Sequence, residues 1–212
     1  MLGWELPPYH NGGMGIVCYQ MAKHLSDQNV DIEFILPYSA EFNIDFMTVT
    51  PAHDQPVESV NLAGGVYDTD QFKTMPSGKS SHLKTQHDFY EHNVAKLVEE
   101  KEFDIIHAHD WLTFKAAITA KHITGKPLIA HVHATQFDQS AGGHGNPEVR
   151  EIEYNCLMLA DQIFAVSEHT KQVIIREYDI PADKIHVVHN SMEVTPDIDE
   201  SSNLHEYLTL MK

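Results

Sequence analysis

The sequence contains little cysteine and no long hydrophobic run. Cys18 and Cys156 are the two cysteines among 212 residues, and both fall in predicted helices among apolar neighbours. We therefore expect buried free thiols rather than a disulfide, which is the usual state of cysteine in the cytoplasm. No apolar stretch approaches the length of a membrane span. The N-terminus has no basic region followed by an apolar segment, so no signal peptide is predicted.

Basic residues are also scarce. The chain has 14 Lys and Arg against 31 Asp and Glu, which gives a formal net charge of −17 at pH 7. This charge argues against binding to nucleic acid or to anionic membranes, because both require a positively charged protein surface. Hydrophobic residues make up 42% of the 212 residues, so the chain can bury the core of one sizeable domain.

Predicted strands and helices alternate along the chain. After a short strand at 1–4, apolar runs predict strands at 30–36, 104–108, 128–132, 163–166 and 185–188. Helical spacing is present at 14–25, 86–100, 112–123, 147–159 and 168–178. The alternation predicts an α/β fold with a doubly wound, mostly parallel Rossmann-like sheet and helices on both faces. Residues 51–84 are predicted to be a long irregular excursion with a short strand at 57–62.

Helix caps can be predicted for the last two helices. Asn146 followed by Pro147 indicates the start of one helix, and Ser167 indicates the start of the next. The predicted buried stripe of the first of these helices consists of Val149, Ile152, Cys156 and Leu159.

A glycine-rich loop separates the first predicted strand from the first helix. Prolines and glycines between Leu6 and Gly13 exclude regular structure there. The backbone amides of Gly12 and Gly13 could face a phosphate at the N-terminus of the helix. Taken alone, Gly-Gly-x-Gly is a weak signal, because such glycines more often only form a turn.

Two predicted strands end in histidines. His107, His109 and Asp110 end one strand, and His131 and His133 end the next. Residues two apart on a strand share a face, and ligands of parallel sheets bind beyond the carboxyl ends of the strands. We therefore predict the active site at this edge. Because paired histidines beside an aspartate also suit zinc, a metal-dependent hydrolase is an alternative.

Five motifs occur in an order that resembles a known family. They are GWELPPYHNGGMG, FDIIHAHDWLT, AHVHATQFDQ, ADQIFAVSEHTK and KIHVVHNSME. Together they resemble glycosyltransferases of family 4 and of the glycogen/starch synthase type. The resemblance implies the N-terminal, acceptor-side half of the two-domain GT-B fold. It also implies transfer of a sugar, with retention of configuration, from a nucleotide-sugar such as UDP-glucose or ADP-glucose.

The resemblance also implies roles for individual residues. His133 matches the active-site histidine, and Gly12 and Gly13 would bring amides to the donor diphosphate. Arg150 and Glu153 match an arrangement that grips the acceptor in some relatives. The rest of the cleft would include His109, Asp110, Trp111, Thr135, Gln136 and Asp138.

A second domain is expected beyond this chain. The resemblance implies that 1–190 is the acceptor-side domain and that 191–212 is a linker or tail. The donor-binding domain, in cis or on a partner chain, would be needed for activity. The acceptor would be a glycan or another hydroxyl compound, and the reaction would require no metal or other cofactor. An alternative is a fragment that binds glycans without catalysis.

Overall fold

The computed structural model describes residues 1–60, 62, 69–74, 78, 80–141, 143 and 145–190. Its strands are β1 (Glu33–Leu36), β2 (Thr48–Pro51), β3 (Ile106–His109), β4 (Leu128–Val132), β5 (Gln162–Ala165) and β6 (Ile185–Val187). Strands β1 and β2 pair with each other, and β3, β4, β5 and β6 pair in that order. All of these pairings are parallel, as the alternation of strands and helices predicts.

The N-terminal segment joins the two groups of strands. Leu2 bridges Ile35 of β1 and Ala108 of β3, in parallel on both sides. The Leu2 amide donates to the His107 oxygen at 2.8 Å, and the Ile35 amide donates to the Met1 oxygen at 2.9 Å. The sheet therefore runs β2, β1, N-terminal segment, β3, β4, β5, β6. The direction of this order reverses between the N-terminal segment and β3, and such switch points are where open α/β sheets bind ligands.

Six α-helices occur in the described part of the chain. They are α1 (Gly13–Ser26), α2 (His82–Glu99), α3 (Trp111–Thr124), α4 (Gln136–Gln139), α5 (Pro147–Leu159) and α6 (Glu168–Tyr178). The predicted caps are confirmed: Asn146 accepts from the amides of Glu148 and Val149, and Ser167 accepts from that of Thr170. Gly125 ends α3 in the left-handed region, with φ of 67°.

Helices cover both faces of the sheet and bury a large apolar core. Its largest fully buried side chains include Trp4, Trp111, Tyr38, Tyr90 and Phe34. Each buried large apolar side chain stabilises the fold by about 1.5–3 kcal/mol relative to its exposed state. None of the described helices is long and apolar enough to cross a membrane.

Three local predictions are wrong. Residues 57–59 form a 3-10 turn instead of a strand, and Leu159 is 40% exposed although it was expected in the buried stripe of α5. Strand β2 lies where no strand was predicted, because its half-exposed edge residues form no hydrophobic run. The predicted linker 191–212 lies outside the described residues.

Candidate functional site

The polar residues predicted for the active site meet at the switch point of the sheet. Strand β3 ends at His109 and β4 ends at Val132, with Asp110 and His133 directly after them. In the parallel register, His109 lies opposite His131. The histidines of both strands therefore share one face of the sheet, as the alternation of side chains along a strand requires.

Four histidines form one stack, which we call the imidazole ladder: His107, His109, His131 and His133. Two hydrogen bonds join its rings, His107 Nε2 to His131 Nδ1 and His109 Nδ1 to His133 Nε2, each at 3.1 Å. The rings of His107 and His109 stack with centroids 4.5 Å apart, and so do those of His131 and His133. The first three side chains are buried, whereas His133 is partly exposed.

Burial keeps the ladder uncharged. Loss of solvation lowers the pKa of His107 to about 3 and that of His133 to about 4. The pKa values of His109 and His131 are lowered well below the usual value for the same reason, and further by the neighbouring imidazoles. At neutral pH the four rings therefore act as neutral donors and acceptors of hydrogen bonds, because the charged form is disfavoured in this environment.

Asp110 links the ends of β3 and β4. Its φ is 57°, which is rare for a residue other than glycine. Its amide donates to the His131 oxygen at 3.0 Å, and its Oδ1 accepts from the His133 amide at 2.7 Å. Burial raises the pKa of Asp110 to about 7, and hydrogen bonds from the amides of His133 and Ala134 oppose part of this rise. The aspartate thus fixes the backbone that carries His133.

Trp111 is fully buried. Its ring packs edge-on against Phe72, with centroids 5.0 Å apart. The His87 side chain contacts the Trp111 oxygen at 3.3 Å. The tryptophan therefore supports the start of α3 from inside the core and offers no side-chain surface to the cleft.

An internal carboxylate holds the glycine loop. Glu5 accepts from the Asn11 amide at 2.9 Å and from the Gly15 amide at 3.0 Å. It is 3% exposed. Glu5 gives no signal in the sequence, because a single glutamate before a proline pair matches no local pattern. The buried side of the α1 N-terminus is therefore occupied by a side chain of the same domain.

The glycines of this loop have different surroundings. A Cβ atom added to Gly13 would meet no atom of the described residues within 4 Å, whereas one added to Gly15 would lie 3.1 Å from the Cβ of His10 and 3.2 Å from Glu5. On the exposed side, His10 Nδ1 lies 3.1 Å from the Gly12 oxygen. Space for a ligand is therefore open over Gly13, and Gly15 is required for close packing.

The segment after His133 is held by its own caps. Thr135 and Asp138 form a capping box at the start of α4, in which Asp138 Oδ2 accepts from the Thr135 amide at 2.9 Å. The Gln136 amide donates to Glu153 Oε1 at 2.9 Å, and the Tyr178 hydroxyl donates to the other oxygen of Glu153. Burial raises the pKa of Glu153 to about 8, opposed by the hydrogen bonds from Tyr178 and Gln136. Glu153 thus braces α4 from inside the domain.

Arg150 lies on the outer side of the same region. Its guanidinium carbon lies 4.2 Å from the centroid of the Phe137 ring, a cation–π geometry. Next to it is an open groove of about 310 Å³, lined by Pro147, Arg150, Glu151, Tyr154, Glu177 and Tyr178. Of the two residues predicted to grip the acceptor, Arg150 therefore borders a groove and Glu153 is buried behind it.

Two groups of side chains in the described part of the chain bring potential metal-ligand atoms within 4.8 Å of one another. They are Cys18, His109 and His133, and His107, His109 and His131. Cys18 belongs to α1, so the first group also shows that α1 packs on the imidazole ladder. The glycine loop and His133 therefore lie at the same edge of the sheet. Each ladder ring already uses one nitrogen on another ring, and burial raises the pKa of Cys18, which disfavours the thiolate that binds zinc.

The chain is similar in sequence to proteins named as glycosyltransferases and as glycogen synthase. The model of glycosyltransferase family 4 matches residues 11–195. An uncharacterized glycosyltransferase of Methanocaldococcus jannaschii is 24% identical over 197 residues, 91% of this chain and 45% of that protein. Glycogen synthase of Mycobacterium tuberculosis is 22% identical over 200 residues, 91% of this chain and 48% of that protein. A D-inositol 3-phosphate glycosyltransferase of Mycolicibacterium vanbaalenii is 28% identical over 192 residues, 86% of this chain and 40% of that protein.

The fold is similar to that of solved structures. Anabaena HepE in complex with UDP and glucose matches with a TM-score of 0.55 and 20% identity, over 99% of this chain and 49% of that one. The complex of the same protein with UDP-glucose matches with a TM-score of 0.51. This chain thus spans about half the length of the relatives that it matches.

Proposed function

Since this chain belongs to glycosyltransferase family 4 and is an N-terminal domain of the GT-B type, we propose that it is the acceptor-side half of a retaining glycosyltransferase. The observation that carries this proposal is the meeting of Asp110 and the imidazole ladder at the switch point, beside the glycine loop of α1. A ligand-binding edge with neutral histidines suits the stabilisation of a departing group better than hydrolysis by a charged nucleophile.

The proposed donor is a nucleotide-sugar, with glucose as the sugar and UDP or ADP as the nucleotide. A relative of known structure binds UDP-glucose, and another is named glycogen synthase. The amides of Gly12 and Gly13 would approach the diphosphate from the open side of the loop, where a Cβ on Gly13 meets no atom. Backbone amides at a helix N-terminus stabilise such an anion.

The proposed mechanism gives each part of the edge one task. Retaining transfer passes through a state with oxocarbenium character, so the cleft must stabilise the departing diphosphate and position an acceptor hydroxyl. His133 would contact the transferred sugar or the leaving oxygen, on a backbone held by Asp110. Asp138 would complete that wall, and the buried His109, Thr135 and Gln136 would support it from behind. We propose that the transfer needs no metal.

The acceptor would lie on the side of α4 and α5. Arg150 borders the open groove there, and Glu153 holds the first turn of α4 in place. We propose a glycan or another hydroxyl compound as the acceptor. Arg150 would contact it directly, and Glu153 would act by fixing Gln136.

The other half of the cleft would come from a second domain. We propose that 1–190 is the acceptor-side domain, that 191–212 leads towards the donor-binding domain, and that this domain is supplied in cis or by a partner chain. The chain alone would then be inactive. We also propose a cytoplasmic location, because both cysteines are buried free thiols.

A fusion experiment tests the function. Hydrolysis and transfer are measured with UDP-glucose and ADP-glucose, with and without glycogen, for this chain and for a fusion to the donor-binding domain of a relative. Activity that is found in the fusion and absent in the chain alone is the expected result. Glycogen binding without transfer in either protein would favour a non-catalytic fragment. Hydrolysis by the chain alone, abolished by a chelator, would favour the metal-dependent hydrolase.

A further inference from the structure

His133 has one ring nitrogen left for a substrate. Its Nε2 contacts His109 Nδ1 at 3.1 Å, so Nδ1 of His133 is the nitrogen that can serve the cleft. Because both rings are neutral, the shared hydrogen bond has one proton, and two arrangements are possible. Either His109 donates and His133 carries its proton on Nδ1, or His133 donates from Nε2 and has a lone pair on Nδ1. The two arrangements give His133 opposite chemistry.

The other ring nitrogen of His109, Nε2, distinguishes the two arrangements. The His109 ring is fully buried, and its Nε2 has no hydrogen-bond partner among the described residues. If His133 were the donor, the single proton of His109 would sit on this Nε2 as a buried, unpaired N–H. If His109 is the donor, its Nε2 is a bare lone pair. Unpaired buried N–H groups are rarer in proteins than acceptors with unused lone pairs, so the arrangement in which His109 donates to His133 is favoured.

Cys18 does not distinguish the two arrangements. It lies close to His109 and His133, and burial raises the pKa of its thiol, but a protonated thiol is both a weak donor and a weak acceptor. The second pair of the ladder has the same form: His131 contacts His107 through Nδ1, and its own buried Nε2 has no partner in the described part of the chain.

We propose that His109 is a positioning residue that holds His133 in the tautomer with its proton on Nδ1. His133 then presents a neutral N–H donor to the cleft and cannot act there as a base. This inference rests on the proposed function only for the catalytic meaning of His133. A donor stabilises oxygen atoms that gain negative charge as the sugar departs, whereas a base would remove the proton of the acceptor.

The experiment reads the tautomer directly in the 212-residue chain. Long-range proton–nitrogen correlation spectra of ¹⁵N-histidine-labelled protein at pH 7.5 show which ring nitrogen carries the proton. His133→Gln identifies the His133 signals among those of the 16 histidines. The expected result is a protonated Nδ1 and an unprotonated Nε2 on His133. Protonated Nε2 on His133 in the unmodified chain overturns the proposal without any variant.

Two variants test whether His109 is the cause. His109→Phe keeps a ring beside Phe34, with which His109 stacks, but removes the donor, so we expect His133 to change mainly to the Nε2 proton. His109→Asn restores an N–H donor and should return part of the Nδ1 form. His122→Gln, on the exposed end of α3, is the control and should change nothing. An unchanged Nδ1 proton in folded His109→Phe contradicts the assignment.

The outcome is separable from that of the proposed function, because no donor or acceptor is present. The expected tautomer together with an inactive fusion would refute the glycosyltransferase proposal and leave the role of His109 intact. An active fusion with the Nε2 tautomer would do the reverse. If His109→Phe does not fold by circular dichroism, the unmodified chain and His109→Asn still decide the result.

Discussion

Replacing Glu153 by Gln should change how the stability of this domain depends on pH. Burial raises the pKa of the Glu153 carboxyl from 4.5 to about 8 in the folded protein. Between these values the folded protein holds a proton that the unfolded chain has released, so stability falls as pH rises and levels off above about pH 8. At about 1.4 kcal/mol for each pH unit, the loss over this window is roughly 3–5 kcal/mol.

Glutamine keeps the shape of the side chain and removes the titration. Its oxygen can still accept from the Gln136 amide, and its amide can face the Tyr178 hydroxyl, the two partners of Glu153. Asp110 and Asp138, whose charges also act on Glu153, remain in both proteins and cancel in the comparison. Glu153→Gln should therefore be more stable than the unmodified chain at pH 9 and should lose less stability from pH 5 to pH 8.

The assay is urea denaturation, followed by circular dichroism, at several pH values from 5 to 9. Glu151→Gln is the matched control, because Glu151 lies on the same helix but is exposed, and its stability curve should run parallel to that of the unmodified chain. If the curve of Glu153→Gln also runs parallel to the unmodified one, the buried carboxyl does not hold a proton and the assigned pKa is wrong.

Three further predictions concern the glycine loop and the histidine. Gly13→Ala should fold with equal or slightly higher stability, because its Cβ meets no atom of the described residues. It should nevertheless lower the donor affinity of a two-domain enzyme by about tenfold, as the loss of one contact of about 1.4 kcal/mol would. Gly15→Ala should lower the urea midpoint, and equal midpoints for the Gly13 and Gly15 variants would refute the packing difference. Glu5→Ala leaves two amides without their acceptor and should lower the free energy of unfolding by about 2 kcal/mol. Urea denaturation measures this loss, and unchanged stability would contradict the role of Glu5. His133→Ala in a complete enzyme should reduce turnover at least a hundredfold in a protein that circular dichroism shows to be folded, and unchanged turnover would remove His133 from the site.

Local signals were sufficient for most of the secondary structure. The Asn146–Pro147 pair marks a helix start by cap chemistry, and the strand Leu128–Val132 is an apolar run that begins directly after Pro127 and contains one polar residue, His131. Both depend on residues near in sequence, so no tertiary contact was needed to predict them. The edge strand Thr48–Pro51 gave no such signal, because a strand with one open side needs no continuous apolar run.

Burial of single polar side chains could not be predicted. In α5, Leu159 is exposed and Glu153 is buried, the reverse of what hydrophobicity alone indicates. The partners of Glu153 are the Gln136 amide and the Tyr178 hydroxyl, which lie 17 and 25 residues away along the chain. A carboxyl is stable inside a protein when such partners are supplied, and only folding brings them together.

For the histidines, too, the sequence determines one part of the arrangement and the tertiary structure the other. Spacing by two along each strand already requires that His107 and His109 share a face, and that His131 and His133 do so, because side chains alternate with the strand pleat. Family resemblance in the sequence implies a catalytic role for His133, which stays a prediction. The pairing of His109 Nδ1 with His133 Nε2 follows from the register that sets His109 opposite His131. Register belongs to the assembled sheet, so the tautomer proposed for His133 depends on the tertiary structure.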